Sequence, residues 1–137
     1  MNPSGSVLIA MYGATIGKLG ILTFPATTNQ ACCACSPLDG INNHYLFYYL
    51  LSQKDNFVYR SVGGAQPNIS KEKIVTTLMP VPPYEEQRQI LDKIDIFFDL
   101  IRDIEKSLNW GFFLYNYKVF LLYVQYSIVL LMVAKVL

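Results

Sequence analysis

The spacing of hydrophobic and polar positions changes character three times along this 137-residue chain. Ser6–Met11 is a short apolar run that ends at Gly13, which predicts a buried strand. Lys18–Phe24 follows the turn Gly13–Gly17 and predicts a second strand, closed by Pro25. Gln30–Ser36 predicts a third. Residues 37–43 form a loop, with Asn43 able to cap a helix that begins near His44. From there Leu46, Phe47, Leu50, Leu51, Phe57 and Val58 fall at helical spacing, with a break expected between Gln53 and Asn56. The next segment, 61-SVGGAQPNISKEKI-74, is polar and heavily punctuated. Gly63 and Gly64 admit backbone angles that other residues avoid, Pro67 forces Gln66 into an extended form, and Ser70 predicts an N-cap for a short helix through Ile74. Thr76–Pro83 then reads as an edge strand, since its prolines forbid a central ladder position.

Beyond the double proline the period lengthens. Ile90, Ile94, Phe97, Ile101, Ile104 and Leu108 are separated by 4, 3, 4, 3 and 4 residues, a heptad seam flanked by charges that predicts a helix with a helical partner. Glu85 and Glu86 suit the positive end of such a helix, and Lys106 the negative end. After Leu108 the pattern breaks again. Residues 110–137 hold no acidic side chain and are apolar on all sides, with 16 residues between Lys118 and Lys135. A membrane span needs about 20 residues, a length reached only by counting from Phe112 with Lys118 snorkelling. The fold class expected is α+β. Residues 1–83 form a compact unit, 84–109 a coiled-coil-type helix, and 110–137 an atypical apolar tail, frame-shifted or membrane-associated.

Charge sharpens this division. The net charge of +1 lacks the basic excess of a free-standing DNA binder. Residues 1–84 nevertheless carry five basic groups against three acidic, while residues 85–109 carry four against seven. Cys32, Cys33 and Cys35 are too few and too close for a disulfide scaffold, and His44, the single histidine, has no cysteine pair with which to complete a zinc site. We expect a buried strand in a reducing cytoplasm.

Little catalytic chemistry is legible. The stretch 13-GATIGK-18 imitates a phosphate-binding loop, but three residues separate its glycines where four are needed, and Leu19 stands where Ser or Thr should follow the lysine. Asp39, Asp55 and Glu72 are scattered through loops and helix starts. No catalytic residue and no metal ligand is expected. A binding surface remains: Lys18, Arg60, Lys71 and Lys73 are of the type that meets phosphates, and Asn29, Gln30, Gln66 and Asn68 of the type that addresses base edges or backbone. Asn and Gln in turns commonly bond to nearby main chain instead, and lone lysines are commonly solvated.

Four stretches in this order, VLIAMYGATIGKLGIL, ATTNQACCA, GGAQPNISKEKI and MPVPPYEEQRQILDKI, make the chain resemble the specificity subunit of type I restriction-modification systems. The resemblance covers residues 5–108: the later part of a target recognition domain and the start of the long helix after it. It implies a non-catalytic, cytoplasmic protein that recognises double-stranded DNA and docks methyltransferase (modification) subunits, with the restriction subunit joining indirectly. It also implies that S-adenosylmethionine, ATP and magnesium belong to those partners. Lys18, Gln30, Arg60, Gln66, Asn68, Lys71 and Lys73 become the DNA-contact candidates, and the heptad seam a partner helix or self-pairing surface. The chain departs from the family in length, in lacking the front of a recognition domain, and in its tail. The alternatives are a small membrane-anchored interaction protein and a non-functional remnant.

Overall fold

The computed structural model describes residues 1–64 and 66–107. Leu108 of the seam and the whole 110–137 tail lie outside the described residues.

Three strands form one antiparallel sheet in the order β2–β1–β3, with β1 Val7–Ala10, β2 Leu19–Ile21 and β3 Cys32–Cys35. Alternation explains the burial of β1: Val7 and Ile9 are fully buried on one face, while Leu8 and Ala10 on the other are half-buried. The register sets Cys33 opposite Ile9 and Cys35 opposite Val7. All three cysteines are free thiols, and only Cys33 is buried. The expected buried strand is therefore an edge strand with one side chain in the core.

Helices α1 (Asn43–Ser52) and α2 (Lys54–Tyr59) follow, separated at Gln53 as the spacing predicts. The cap of α1 is Asn42 rather than Asn43; its side-chain oxygen accepts the His44 N–H at 2.9 Å. Either asparagine is chemically suited, and the loop geometry selects the earlier one. Tyr45, Tyr49 and Leu50 face the sheet, and Phe57 of α2 joins them in the core. The expected cap at Ser70 is present, its hydroxyl accepting the Lys73 N–H ahead of α3 (Lys71–Val75).

Thr76–Pro83 is not the expected edge strand. Thr76 and Thr77 close the last turn of α3, and the rest joins no ladder. The carbonyls of Leu78, Pro80 and Pro82, every second residue along it, are taken instead by side chains. The Tyr49 hydroxyl donates to Leu78, the Tyr45 hydroxyl donates to Pro80 at 3.0 Å, and Gln87 Nε2 donates to Pro82 at 2.9 Å. The period of two that would serve a neighbouring strand serves two tyrosines and a glutamine.

Helix α4 spans Tyr84–Ser107, beginning directly after Pro83. Its packing face is Gln87, Ile90 and Ile94, all fully buried, with Leu91 and Phe98 partly buried against the same core. The Phe98 ring lies 6.1 Å from that of Tyr48 on α1. The heptad seam is consequently divided. Ile90 and Ile94 are consumed by the chain's own core, while Phe97 and Ile104 are 48% and 55% exposed.

Candidate functional site

Two segments that stand far apart in sequence meet at the end of β1. The Gly13 N–H donates to the Pro67 carbonyl at 2.7 Å, and the Ile69 N–H donates to the Met11 carbonyl at 3.0 Å. On its other side Asn68 exchanges both main-chain bonds with Val62, at 2.9 and 2.7 Å. Asn68 thus bridges Tyr12 and Val62, each antiparallel to it. A closed turn joins the arms, its Gln66 N–H donating to the Gly63 carbonyl at 3.0 Å. Gly63 adopts φ +116°, and a Cβ there would lie 2.7 Å from the Gln66 carbonyl oxygen, so only glycine fits. The polar segment is a clamped loop, and its core-facing neighbours Met11 and Ile69 are buried.

The structure separates the sequence-predicted contact residues. Lys18, Gln30, Gln66 and Lys71 are exposed, and Asn68 is half-buried within the clamp. Arg60 and Lys73 are turned inward to structural work. Lys73 Nζ donates to the Arg60 carbonyl at 2.6 Å, closing the end of α2, and the Arg60 guanidinium reaches the Thr77 hydroxyl at 3.3 Å. Asn29 makes the local turn bond common for its type, its side-chain oxygen accepting the Ala31 N–H at 3.0 Å. Sequence reasoning missed Tyr12, which stands beside Asn68 and is 45% exposed. Its position after an apolar run suggested only a strand end.

A second concavity lies between α1 and α4, a groove of about 290 Å³ lined by His44, Tyr48, Arg88, Leu91, Asp92 and Asp95. Burial raises the Tyr48 phenol, with the Asp95 charge adding to the effect. Among the described residues no three histidine, cysteine or acidic side chains gather where a metal could sit. The Cys33 and Cys35 thiols share a hydrogen bond that brings Cys33 down to about 7, against the opposing effect of burial, and pushes Cys35 up. Cys33 is only 5% exposed, so its acidity is not accessible to a substrate.

The described residues thus form a small α+β unit with a clamped polar loop and a long helix that is partly exposed. The chain belongs to the family described as Type I restriction modification DNA specificity domain, which matches residues 1–109. It is 29% identical over 107 residues to the type I restriction enzyme MjaIX specificity subunit of Methanocaldococcus jannaschii, a match covering 77% of this chain and 24% of that one. Against the EcoR124I/EcoR124II specificity subunit of Escherichia coli it is 27% identical over 112 residues, covering 77% and 28%. The chain thus spans about a quarter of the length of these curated relatives. The crystal structure of an S subunit of a type I restriction-modification system from M. genitalium shares the fold, with a TM-score of 0.57 at 16% identity, covering 77% of this chain and 29% of that one. The family agrees with the expectation of a non-catalytic specificity chain. Among the described residues no helix is long and apolar enough to cross a membrane, and the tail on which the membrane alternative rests lies outside them.

Proposed function

We propose that this chain is a DNA-recognition unit of a type I restriction-modification complex. It binds double-stranded DNA with the clamped-loop end of the α+β unit and docks methyltransferase subunits along α4. The observation that supports the reading is the hydrogen-bonded joining of two family-like segments, Gly13 to Pro67 and Ile69 to Met11, with Lys18, Gln66 and Lys71 of those segments exposed. Gln30 is exposed on the loop before β3 and belongs to the same set of contact candidates. Catalysis, and with it S-adenosylmethionine, ATP and magnesium, falls to partner subunits in the cytoplasm, and the restriction subunit joins through them.

The apolar side chains of Ile96, Phe97 and Leu100, between 48% and 59% exposed on the distal part of α4, support a helical partner there. That partner is a methyltransferase subunit or a second copy of this helix.

Two measurements test the reading on the full chain. Retention on duplex DNA should fall steeply between 50 and 200 mM salt, since phosphate contacts release counterions. Co-expression with the modification subunit of a related type I system should yield a complex that survives gel filtration. A chain that ignores DNA at low salt contradicts the first half, and one that elutes alone contradicts the second.

A further inference from the structure

The pairing around Asn68 fixes more than the loop's shape. Tyr12 and Asn68 are joined by bonds from their neighbours (Gly13 to Pro67, Ile69 to Met11), which makes them a non-hydrogen-bonded antiparallel pair, the kind whose side chains stand closest. Asn68 and Val62 bond to each other directly and form the wider kind of pair. Residues paired across a ladder share a face. Tyr12, Asn68 and Val62 therefore form one row, about 10 Å long from the two standard spacings. The adjacent residues Met11 and Ile69 point the opposite way into the core, so the row points out. Tyr12 is 45% and Val62 58% exposed.

The central carboxamide is the notable member. Asn29 and Asn42 spend their side-chain oxygens on nearby main chain. Asn68 is held by its backbone on both sides, and its side chain makes no hydrogen bond to any described residue. A pre-positioned amide between an aromatic ring and an isopropyl group suits a ligand that alternates polar and apolar surface at short intervals. The sugar–phosphate backbone of DNA is such a ligand, with phosphate oxygens set between deoxyribose faces.

We propose that the Tyr12–Asn68–Val62 row is a sequence-independent DNA-backbone contact. Asn68 Nδ2 donates to a phosphate oxygen, while the Tyr12 ring and Val62 pack on the flanking sugars. The inference rests on the DNA-binding reading above and assigns the row to positioning the chain on the duplex, not to reading bases.

The test is fluorescence anisotropy of the full chain on several duplexes of unrelated sequence across a salt series. Asn68→Ala should weaken binding by at least about tenfold on every duplex, the loss of one hydrogen bond to a charged acceptor. The salt slope should stay unchanged, because an amide displaces no counterion. Asn68→Asp, which keeps the size and the main-chain pairing, should weaken binding further through repulsion. Tyr12→Ala should bind severalfold more weakly. Thermal melting checks that each variant is folded. Parental affinity in both Asn68 variants overturns the inference and leaves the DNA-binding reading standing. Losses confined to some sequences overturn it in favour of base reading. A parent chain that binds no duplex at low salt removes both.

Discussion

Gln87, fully buried in the first turns of α4, accepts the main-chain N–H of Asn42 at 2.8 Å, 45 residues away in sequence. The same side chain donates to the carbonyls of Gly40 at 2.8 Å and Pro82 at 2.9 Å. Asn42 itself caps α1 and reaches the Tyr84 hydroxyl at 3.4 Å. One glutamine thereby ties the α1 cap, the proline segment and α4 into a single joint.

Gln87→Leu should lower unfolding stability by about 2–3 kcal/mol, because it orphans the buried Pro82 carbonyl and the part-buried Asn42 N–H and Gly40 carbonyl. Gln87→Glu should be destabilising as well, since a carboxylate would face two carbonyls with no donor to offer. Urea titration measures both. A loss under 1 kcal/mol in the leucine variant would mean that the joint relaxes around the gap.

Alkaline pH should loosen the same region. Burial, with smaller contributions from Tyr49 and Glu86, raises the Tyr45 phenol to about 12 from an ordinary 10. A group whose folded pKa is raised contributes stability that is complete below its unfolded value and lost as pH rises through the folded one. Stability should accordingly fall between pH 10 and about 12. Tyr49, also raised by burial, acts in the same direction. Phenolate absorbance followed alongside circular dichroism should show the last tyrosines titrating together with unfolding, and Tyr45→Phe should flatten the profile.

The buried and exposed faces of α4 should respond differently to charge. Ile94→Asp places an unpaired carboxylate in the core and should cost about 3–5 kcal/mol or prevent folding. Phe97→Asp, three residues on and half exposed, should change stability by no more than about 0.5 kcal/mol. It should instead weaken self-association or methyltransferase docking. Sedimentation velocity and melting curves separate the two effects.

In the clamped loop, Gly63→Ala should cost about 2 kcal/mol, since φ +116° and the Gln66 carbonyl both oppose a side chain. Gly64→Ala, at φ +49° and with open space around it, should cost about 1 kcal/mol. Equal melting temperatures for the two variants would contradict the clamp.

What the sequence disclosed was local in origin. The break at Gln53, the cap at Ser70 and the short apolar strands depend on residues within a turn or two of each other. The seam of α4 was visible as a period, but its division was not. Ile90 and Ile94 satisfy a coiled-coil repeat and an ordinary amphipathic face equally well, and only the third dimension assigns them to the domain's own core. Thr76–Pro83 misled for a related reason. Its prolines exclude a central strand, but nothing nearby in sequence reveals that Tyr45 and Tyr49 will supply the missing donors. Gln87 was silent altogether, one polar residue among many on a charged helix. At the loop, Asn68 was legible as a candidate by residue type, whereas Tyr12 became its neighbour only through long-range pairing.

The joint at Gln87 also governs reach. From Gln87 to Ser107 the helix runs 20 residues, about 30 Å at 1.5 Å each. The helix is held at its base by the glutamine's three hydrogen bonds and further along by Ile90, Ile94 and Phe98 against the core. The two together set the aim of the exposed apolar stripe, and an error in the buried glutamine's seat would strain that packing before it reached whatever the helix meets.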